Sequence, residues 1–455
     1  MSGQDGVFEA EVVEDPEDVR RVGFEAVAGV RLVGVTAASE VHADEAANRT
    51  YVPRGGREGA VLGGDAVEAD DGVWAVSGAV YGDSDVPGDS LALPEILFHG
   101  RGLYRHPDGA GWYITGMENG RMEFYENVLE VVGNTPLVRL GRVEQDEGIA
   151  ATLLAKVEYL NPGGSVKDRP ALKMLEVAEK QGLLRPGGTV VEPTSGNTGA
   201  GLALAAAVKG YRCICVMPEK ASREKQDLLR AMGAEVVVTP SAPPDDPESY
   251  YRVAERLAGE IPGGYKPGQY ENPANPLAHY ETTGPELWRQ TAGRITHFVA
   301  GMGTCGTITG TGRYLKEQNP GVEVIGVDPE GSIFSDPENI HSYAVEGVGE
   351  DFYPENHDGS MVDGVIQVDD RESFLMTRRL MSEEGLFVGG SCGMAAVGAV
   401  RAARDLPEDA VVVVLLPDTG RNYVSKVFSD EWVLANSSVT QEDLEKPYRI
   451  FEEGK

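Results

Sequence analysis

A lysine in a glycine-rich turn is the first residue of this sequence that could carry covalent chemistry. Lys167 lies in the segment NPGGSVKDR, residues 161–169, where Asn, Pro and Gly are typical of a turn. Ser165 and Asp168 resemble a capping box, so a helix should begin here. A helix N-terminus and partial burial both lower the pKa of an amine, and a neutral amine can form a Schiff base. The alternative is an exposed lysine in the first turn of an ordinary helix.

A second polar segment follows a predicted strand and reads EPTSGNTGAG, residues 192–201. Small hydroxyl side chains and the free backbone N–H groups at a helix start form a site for an anion, and a carboxylate is a suitable guest. The segment has neither a GK[ST] sequence nor GxGxxG spacing, which argues against a P-loop and against a dinucleotide fingerprint. The alternative is an ordinary capped helix.

Two further glycine-rich segments come just before predicted helices. In GMGTCGTITG, residues 301–310, backbone N–H groups and hydroxyls can surround a phosphate without Lys or Arg, because the helix terminus supplies the positive end. The residues expected to do so are Gly303, Thr304, Gly306 and Thr307. In GGSCGM, residues 389–394, Ser391 offers one hydroxyl, and a plain helix N-cap is the alternative.

Apolar runs and helical patterns alternate around these segments. Examples are TVVEPTS before NTGAGLALAAAVKG, RCICVMP before SREKQDLLRAMG, and THFVAGMG before TITGTGRYLKEQ. Strands that are apolar throughout and alternate with helices predict an α/β fold with parallel sheets covered on both faces. Cys213 and Cys215 lie two apart in one such strand and should point to the same face. Open sheets of this kind bind ligands beyond the carboxyl ends of their strands, where the polar segments fall.

Residues 1–121 differ in composition from the rest of the chain. They contain no Lys and no Cys and are rich in Gly, Asp, Glu and Val. The pieces VRLVGVTA, GVWAVSGAVYG and GWYITG are typical of strands between Gly and Asp turns. We interpret this N-terminal extension, whose role the sequence leaves open, as a small β-rich domain. A poorly ordered extension and an upstream stretch wrongly joined to the gene are the alternatives.

Composition and charge exclude several classes of protein. The 455-residue chain fits two or three domains, and its net charge of −33 opposes binding to nucleic acid or to an anionic membrane. No stretch approaches the roughly 20 apolar residues that span a bilayer. The acidic N-terminus lacks the apolar core of a secretory signal, so we expect a cytoplasmic protein. Four cysteines without a CxxC pair or a zinc-like His/Cys cluster predict neither a disulfide framework nor a metal site.

Together and in this order, the motifs closely resemble those of the cysteine synthase/cystathionine β-synthase family of fold-type II pyridoxal-phosphate enzymes. The resemblance runs from residues 133–137 (GNTPL) to Lys426 and favours the cystathionine β-synthase branch. It rests on GGSVKDR, EPTSGNTG, GLALAAAVKGYRCICVMPEK, GQYENPANPLAHYETT, GVDPEGS and LLPDTGRNY. It implies a catalytic domain over residues 122–455 with two parallel-sheet subdomains, of which a smaller, mobile one covers roughly 160–272. The cofactor, pyridoxal 5′-phosphate, would lie between them.

The resemblance also implies roles for individual residues. Lys167 would be the catalytic residue and hold the cofactor as a Schiff base, Asn197 would bind its ring hydroxyl, and Ser391 would meet its pyridine nitrogen. The phosphate would be held by Gly303, Thr304, Gly306 and Thr307, and Cys305 of the same loop would also contact the cofactor. The substrate would be bound by Thr194, Ser195, Thr198, Gln269, Gly347 and Glu350.

The activity implied by the resemblance is a β-replacement in which L-serine and L-homocysteine give L-cystathionine. The alternative within the family is cysteine synthesis from O-acetylserine and sulfide, and the alternative outside enzymes is an inactive scaffold that has kept the fold. Amino-acid and thiol substrates and a homodimer follow from the same resemblance. No haem is expected, because family members that bind haem use an N-terminal Cys–His pair and this chain has no Cys before Cys213.

Three residues depart from the family pattern. Cys305 stands where the family has Gly, which puts a side chain on a turn that favours positive φ. Pro170 fits only the first turn of a helix, so the helix should start no earlier than about Lys167. Glu350 stands where animal cystathionine β-synthases have Tyr, and it either positions the amine of the second substrate or is a solvated loop charge.

Overall fold

A computed structural model describes residues 124–194 and 196–451 in full, together with the backbone strands of residues 8–115. The chain divides into two compact units, Met1–Phe124 and Tyr125–Lys455. The strands described in the first unit are Phe8–Glu14 (β1), Arg20–Ala26 (β2), Arg31–Val35 (β3), Ala60–Gly63 (β4), Ala66–Ala69 (β5), Val73–Tyr81 (β6), Leu91–His99 (β7), Gly102–Arg105 (β8) and Trp112–Thr115 (β9). They form one sheet in the order β1-β2-β3-β4-β6-β7-β9-β8, with β5 paired to β6. The three pieces interpreted as strands, VRLVGVTA, GVWAVSGAVYG and GWYITG, contain β3, β6 and β9.

The second unit contains two further sheets. Its strands are Leu137–Arg139 (β10), Thr152–Val157 (β11), Thr189–Pro193 (β12), Arg212–Pro218 (β13), Glu235–Thr239 (β14), Gly264–Tyr265 (β15), His297–Gly301 (β16), Glu323–Pro329 (β17), Gly364–Val368 (β18) and Val411–Leu416 (β19). The larger sheet has the order β10-β11-β19-β16-β17-β18 and is parallel except for the β10–β11 pair. The smaller sheet, β14-β13-β12-β15, is parallel throughout.

Helices connect the strands in both sheets. Their bounds are Gly141–Glu147 (α1), Asp168–Lys180 (α2), Asn197–Lys209 (α3), Arg223–Ala231 (α4), Tyr250–Glu260 (α5), Ala274–Glu281 (α6), Thr283–Gln290 (α7), Gly306–Gln318 (α8), Asp370–Glu384 (α9), Gly390–Ala403 (α10), Asp430–Asn436 (α11) and Gln441–Glu445 (α12). Parallel neighbouring strands require crossovers of this kind, because a short turn cannot return the chain to the same end of the sheet.

Alternate residues of a strand enter different hydrophobic cores. In β19, Val412 and Val414 pack with α9 and α10, whereas Val413 and Leu415 pack with α7 and α8. This period of two shows that helices cover both faces of the larger sheet. The predicted α/β fold with buried parallel strands is therefore confirmed.

The smaller sheet repeats the arrangement. Cys213 and Cys215 of β13 lie in one core with α2 and α3, so the prediction that they share a face is confirmed. Ile214 and Val216 lie in a second core with α5. Both sheets are thus buried on two sides, as parallel sheets in α/β proteins are. The range 160–272 predicted for a mobile subdomain contains this sheet, and its mobility stays a prediction.

The carboxyl ends of strands from both sheets meet at one cavity of about 350 Å³. Pro193 ends β12 of the smaller sheet, Gly301 ends β16 of the larger one, and Pro417 follows β19; all three line the cavity. This is the position at which open α/β sheets bind ligands.

Two classes of site can be assessed in the part of the chain that the structure describes. Within that part, no helix combines the length and apolar character needed to cross a membrane. The same residues include no group of three or more His, Cys, Asp or Glu side chains placed to hold a metal ion.

Candidate active site

Lys167 is the N-cap residue of α2, and its side chain lines the cavity. Pro170 lies in the first turn of α2, so the prediction that this helix starts no earlier than Lys167 is confirmed. The predicted capping box is wrong. Ser165 Oγ accepts a hydrogen bond from the Lys167 backbone at 3.2 Å, and Asp168 Oδ2 accepts one from the Gly163 backbone at 2.5 Å. Gly163 makes room for this carboxylate, because a Cβ there would lie 2.4 Å from Asp168 Oδ1.

Lys167 is half-buried, and its amine has no counterion among the described residues. Burial lowers its pKa, and the carboxylates of Glu350 and Asp418 only partly oppose that effect. No side chain in the described ranges forms an ion pair or a hydrogen bond with this amine. Because a protonated amine is poorly solvated in such a place, the neutral form is favoured. The neutral form is the one that attacks a carbonyl carbon.

Four of the described helices begin at the cavity without a side-chain cap. Their N-cap residues are Lys167 (α2), Gly196 (α3), Cys305 (α8) and Gly389 (α10). Away from the cavity, α1, α6 and α7 also lack such a cap, whereas α4, α5, α9, α11 and α12 each begin with a Ser, Thr or Asp whose side chain accepts a backbone N–H. The first N–H groups of the cavity helices are thus free of capping side chains. Together with the helix dipoles they favour an anionic ligand.

The predicted phosphate loop lies between β16 and α8. Cys305 has φ = 61°, which confirms that its side chain stands on a turn of positive φ. Its thiol is buried and donates a hydrogen bond to the Gly303 carbonyl at 3.3 Å. Burial raises the pKa of this thiol to about 12. Cys305 is therefore a packed thiol rather than a reactive thiolate.

Two side chains of α6 support the loop from behind. Asn275 Nδ2 donates to Thr304 Oγ1 at 3.1 Å, and His279 Nε2 lies 3.3 Å from Thr307 Oγ1. Burial, with a contribution from nearby cations, lowers the pKa of His279 to about 3, so its ring is neutral. Gly306 faces α6 rather than the cavity, and a Cβ there would lie 1.9 Å from Asn275 Oδ1. Only glycine fits at this contact.

The predicted carboxylate-binding residues come together around Gln269. Thr198 Oγ1 donates a hydrogen bond to Gln269 Oε1 at 2.6 Å. Behind Gln269, the carboxylate of Glu192 accepts the backbone N–H groups of Gly268 and Gln269 at 2.9 and 3.1 Å. Burial raises the pKa of Glu192 to about 7. The Gln269 segment is thus fixed to β12, the strand that leads to Thr194.

A buried carboxylate that sequence reasoning missed lies next to Asn197. Asn197 Nδ2 donates to Asp418 Oδ2 at 2.7 Å, and the Tyr423 hydroxyl donates to the same oxygen at 2.7 Å. Burial raises the pKa of Asp418, while these two donors oppose the shift. Asn197 begins a helix of the smaller sheet and Asp418 follows a strand of the larger one, so this hydrogen bond joins the two sheets.

Further charges line the cavity beside the loop that contains Glu350. Burial raises the pKa of Glu350 to about 7, against the effect of the nearby Tyr270 hydroxyl. Lys225 Nζ forms an ion pair with Glu346 Oε2 at 2.6 Å, and Lys426 pairs with the other oxygen of the same carboxylate. Despite burial, these two lysines hold the pKa of Glu346 below its ordinary value.

The structure brings nearly all of the predicted site residues together. Those that line the cavity are Lys167, Thr194, Asn197, Thr198, Gln269, Gly303, Thr304, Cys305, Thr307, Gly347, Glu350 and Ser391. Gly306 does not line it, and Ser195 lies outside the described residues. The cavity residues with polar or charged side chains that sequence reasoning did not assign are Lys225, Tyr250, Tyr251, Tyr270, Glu346, Asp418 and Tyr423. The PDTGRNY segment could have drawn attention to the last two, since it forms part of the family resemblance.

A family model described as "Pyridoxal-phosphate dependent enzyme" matches residues 128–418, which include every residue of the cavity described above except Tyr423. The chain belongs to this family. The family and the cofactor predicted from the motifs are therefore confirmed.

Relatives of this pyridoxal-phosphate-dependent enzyme include cystathionine β-synthases. The one from Oryctolagus cuniculus is 52% identical over 324 residues, which are 70% of this chain and 59% of that protein. The one from Saccharomyces cerevisiae is 46% identical over 326 residues, which are 68% of this chain and 64% of that protein. The chain thus spans about three fifths of the length of these curated relatives.

Solved structures of similar proteins cover a similar share of the chain. An O-acetylserine-dependent cystathionine β-synthase from Helicobacter pylori is 40% identical with a TM-score of 0.62, and the match covers 67% of this chain and 99% of that one. An O-ureido-L-serine synthase is 38% identical with a TM-score of 0.64, and the match covers 69% of this chain and 100% of that one.

The residues around the cavity fit pyridoxal phosphate. The volume of about 350 Å³ lies within the range of small-molecule sites. The Lys167 amine without a counterion suits an aldehyde, and the uncapped start of α8 suits a phosphate. A second uncapped start, that of α3, leaves room for a substrate carboxylate in the same cavity.

Proposed function

We propose that this pyridoxal-phosphate-dependent enzyme catalyses a β-replacement that joins L-serine and L-homocysteine into L-cystathionine. The observation that carries the proposal is the half-buried Lys167, whose amine opens without a counterion into a cavity that also holds an anion-binding helix start and the Glu350 carboxylate. The choice of substrates is supported by the similarity to cystathionine β-synthases at 46–52% identity.

Separate groups of residues would hold the cofactor. Lys167 Nζ would bind its aldehyde carbon, Asn197 its ring hydroxyl and Ser391 its pyridine nitrogen. The phosphate would lie against the loop Gly303, Thr304, Cys305, Gly306 and Thr307. When bound, the cofactor supplies a ring that draws electrons from the substrate Cα. A serine hydroxyl, unlike an aspartate, leaves the ring nitrogen largely unprotonated, which favours loss of a β-substituent over transamination.

Lys167 would also move a proton. When its amine is free, Nζ takes the proton from the Cα of the amino-acid substrate and later returns it. Partial burial without a counterion favours the unprotonated amine that this step needs. The residues that would bind the substrate carboxylate, and so hold Cα beside this amine, are Thr194, Ser195, Thr198 and Gln269.

Glu350 would bind the ammonium group of L-homocysteine, the second substrate. It lines the same cavity as Lys167, and no Lys or Arg forms an ion pair with it within the described ranges. An unpaired, partly buried carboxylate is a suitable partner for an incoming cation. Gly347, in the loop just before Glu350, would form part of the wall beside the substrate.

Steady-state rates of product formation test this proposal. We expect cystathionine from L-serine and L-homocysteine, with the holoenzyme's visible absorbance changing when L-serine alone is added. If the holoenzyme forms no cystathionine from L-serine and L-homocysteine, the proposed activity is wrong. Retention of the cofactor without turnover would instead support an inactive scaffold.

A second candidate uses the same cavity with a different first substrate. The similarity to an O-acetylserine-dependent cystathionine β-synthase, at 40% identity over 99% of that chain, favours O-acetylserine as an alternative to L-serine. Sulfide as the second substrate would then give cysteine. Comparing kcat/KM for the four combinations of first and second substrate decides among these activities.

We also propose that the enzyme works as a homodimer in the cytoplasm. The resemblance to the cysteine synthase/cystathionine β-synthase family supports the dimer, and the acidic composition of the chain agrees with the proposed location. Light scattering of the purified full chain at micromolar concentration should give twice the mass of one chain. A monomer at that concentration would show the dimer proposal to be wrong.

A further inference from the structure

Asp418 is a buried carboxylate beside the proposed cofactor site, and none of the roles above uses it. Asp418 is only 1% exposed, and no Lys or Arg in the described ranges forms an ion pair with its carboxylate. Its Oδ2 atom accepts hydrogen bonds from Asn197 Nδ2 and from the Tyr423 hydroxyl, each at 2.7 Å. Burying a carboxylate without a cation is costly unless hydrogen bonds compensate for lost hydration. These two donors supply that compensation.

The surrounding backbone fixes the position of this carboxylate. On one side, Val166 N donates to the Pro417 carbonyl at 2.8 Å and Thr419 N donates to the Gly164 carbonyl at 3.2 Å. On the other side, a Cβ at Gly389 would lie 2.3 Å from Asp418 Oδ1, so glycine is needed there to admit the carboxylate. Asp418 is thus held between the turn that carries Lys167 and the start of α10.

The chemistry of an amide explains what Asp418 does to Asn197. A side-chain amide has a nitrogen with two donors at one corner and an oxygen acceptor at the other. An ionised carboxylate only accepts, so it selects the orientation in which Nδ2 faces it. The second N–H of the same nitrogen then remains for another acceptor. A ring hydroxyl or its anion, the group assigned to Asn197, is such an acceptor.

We propose that Asp418 is a positioning residue that fixes the orientation of the Asn197 amide and so reserves one N–H for the ring oxygen of the cofactor. The inference rests on the proposed role of Asn197 as a cofactor ligand. Asn197 begins a helix of the smaller sheet, and Asp418 follows a strand of the larger sheet. Cofactor binding through this hydrogen bond therefore depends on the distance and orientation between the two sheets. Loss of the carboxylate leaves the amide free to present its oxygen, which would repel the ring oxygen.

A double-mutant cycle on the holoenzyme tests the proposal. The variants are Asp418→Asn, Asn197→Ala and the combination of the two, and the measurements are the dissociation constant of pyridoxal phosphate and the position of the visible absorbance band. We expect Asp418→Asn alone to weaken cofactor binding about tenfold, as loss of a charge-assisted hydrogen bond does, and to shift the band. In the Asn197→Ala background the same substitution should change neither quantity further.

Matched variants separate positioning from folding. Asp328, another buried carboxylate, accepts the Ser335 backbone N–H after β17 and does not line the cavity. Asp328→Asn controls for the neutralisation of a buried carboxylate and should leave the absorbance band in place. If Asp418→Asn gives too little folded protein, Asp418→Ser replaces it in the cycle. Thermal unfolding of each variant shows whether the variant is folded.

The outcomes distinguish this inference from the proposals on which it rests. Equal losses of affinity from Asp418→Asn in both backgrounds would overturn the inference and leave Asn197 as a cofactor ligand. Unchanged binding and an unchanged band in Asn197→Ala would overturn both. The proposed β-replacement is judged separately, by cystathionine formation in the unmodified enzyme.

Discussion

Thr198 Oγ1 donates a hydrogen bond of 2.6 Å to Gln269 Oε1, so two residues assigned to the substrate carboxylate are bound to each other. Because Oε1 of Gln269 is used by this contact, its amide nitrogen is left to donate to an anion. Glu192 holds the backbone of Gln269 from the other side. The proposed carboxylate site is thus held in place by hydrogen bonds within the protein, and such preorganisation reduces the entropy lost on binding.

Replacing Thr198 by Val should therefore weaken substrate binding. The substitution keeps the shape of the side chain but removes the hydroxyl that orients Gln269, so we expect KM for L-serine to rise about tenfold. Steady-state kinetics at saturating L-homocysteine measure the effect. Thr291→Val is the matched control, because the Thr291 hydroxyl bonds to the Leu287 carbonyl within its own turn. An unchanged KM in Thr198→Val would contradict the assigned role.

The pH dependence of the second substrate should report Glu350. Burial raises the pKa of this group to about 7, so its carboxylate is protonated as the pH falls below that value and ionised above it. If the ionised form binds the ammonium group of L-homocysteine, KM for L-homocysteine should rise as the pH falls through about 7. Sulfide has no ammonium group, so its KM, expressed for the hydrosulfide ion to remove the titration of H2S itself, should not rise as the pH falls.

A substitution at the same position gives the control. Glu350→Gln should raise KM for L-homocysteine about tenfold at pH 8 and abolish the change near pH 7, since no charge remains to titrate. Asp351→Asn, at the exposed neighbouring residue, should keep the pH-dependent change in KM and move it only to lower pH, because the charge of Asp351 adds to the rise in the pKa of Glu350. A Glu350→Gln enzyme with a wild-type pH profile would assign the titration to another group.

The strained backbone at Cys305 predicts that replacing this residue by Gly relieves strain and that replacing it by Val adds strain. A non-glycine residue in the left-handed region costs about 1–2 kcal/mol, and Cys305 has φ = 61°. Cys305→Gly should bind the cofactor more tightly with activity kept, whereas Cys305→Val should lower the free energy of unfolding by about 1–3 kcal/mol because it is β-branched. Cofactor titration and urea unfolding measure both. Tighter cofactor binding by the valine variant than by the glycine variant would refute this explanation.

Glu192 should make stability depend on pH. Its pKa is raised by burial from an unfolded value near 4.5 to about 7, so the folded state binds more protons than the unfolded state between these values. The stability that this group contributes is present in full below pH 4.5 and is lost as the pH rises through about 7. Glu192→Gln should remove that loss, so its urea midpoint should fall less than the wild-type midpoint between pH 5 and pH 8. Parallel curves for the two proteins would contradict the assignment.

Local patterns sufficed to predict the elements of the fold. The strands β13 and β19 are buried on both faces because every position of β19, and every position of β13 after the exposed Arg212, carries an apolar side chain. Which strands pair could not be read in this way, since β11 and β19 become neighbours only through contacts between distant parts of the chain. The predicted capping box of Ser165 and Asp168 is wrong for a local reason that the sequence pattern does not show. The Asp168 carboxylate is captured by the Gly163 backbone, which lies within the turn itself.

The site was predictable where its residues fall in compact motifs. Lys167, Asn197 and Ser391 each lie in a glycine-rich segment before a helix, and the fold brings these segments to one cavity. Asp418 lies in the PDTGRNY motif, but nothing local shows its role or that of Lys225, because both roles depend on partners far away in sequence. Asp418 meets Asn197 across 221 residues, and Lys225 meets Glu346 across 121.

Borohydride reduction of the holoenzyme, followed by peptide mapping, tests the chemistry at Lys167 most directly. The lone, half-buried amine predicts that the pyridoxyl label is found on the peptide that contains Lys167, and that Lys167→Ala gives a protein without this label and without turnover. Arg169 and Lys173 of the same helix are engaged in ion pairs, so Lys173 serves as an internal control that should remain unlabelled. A label on any other lysine, or none at all in a protein that binds the cofactor, would contradict the assignment of Lys167.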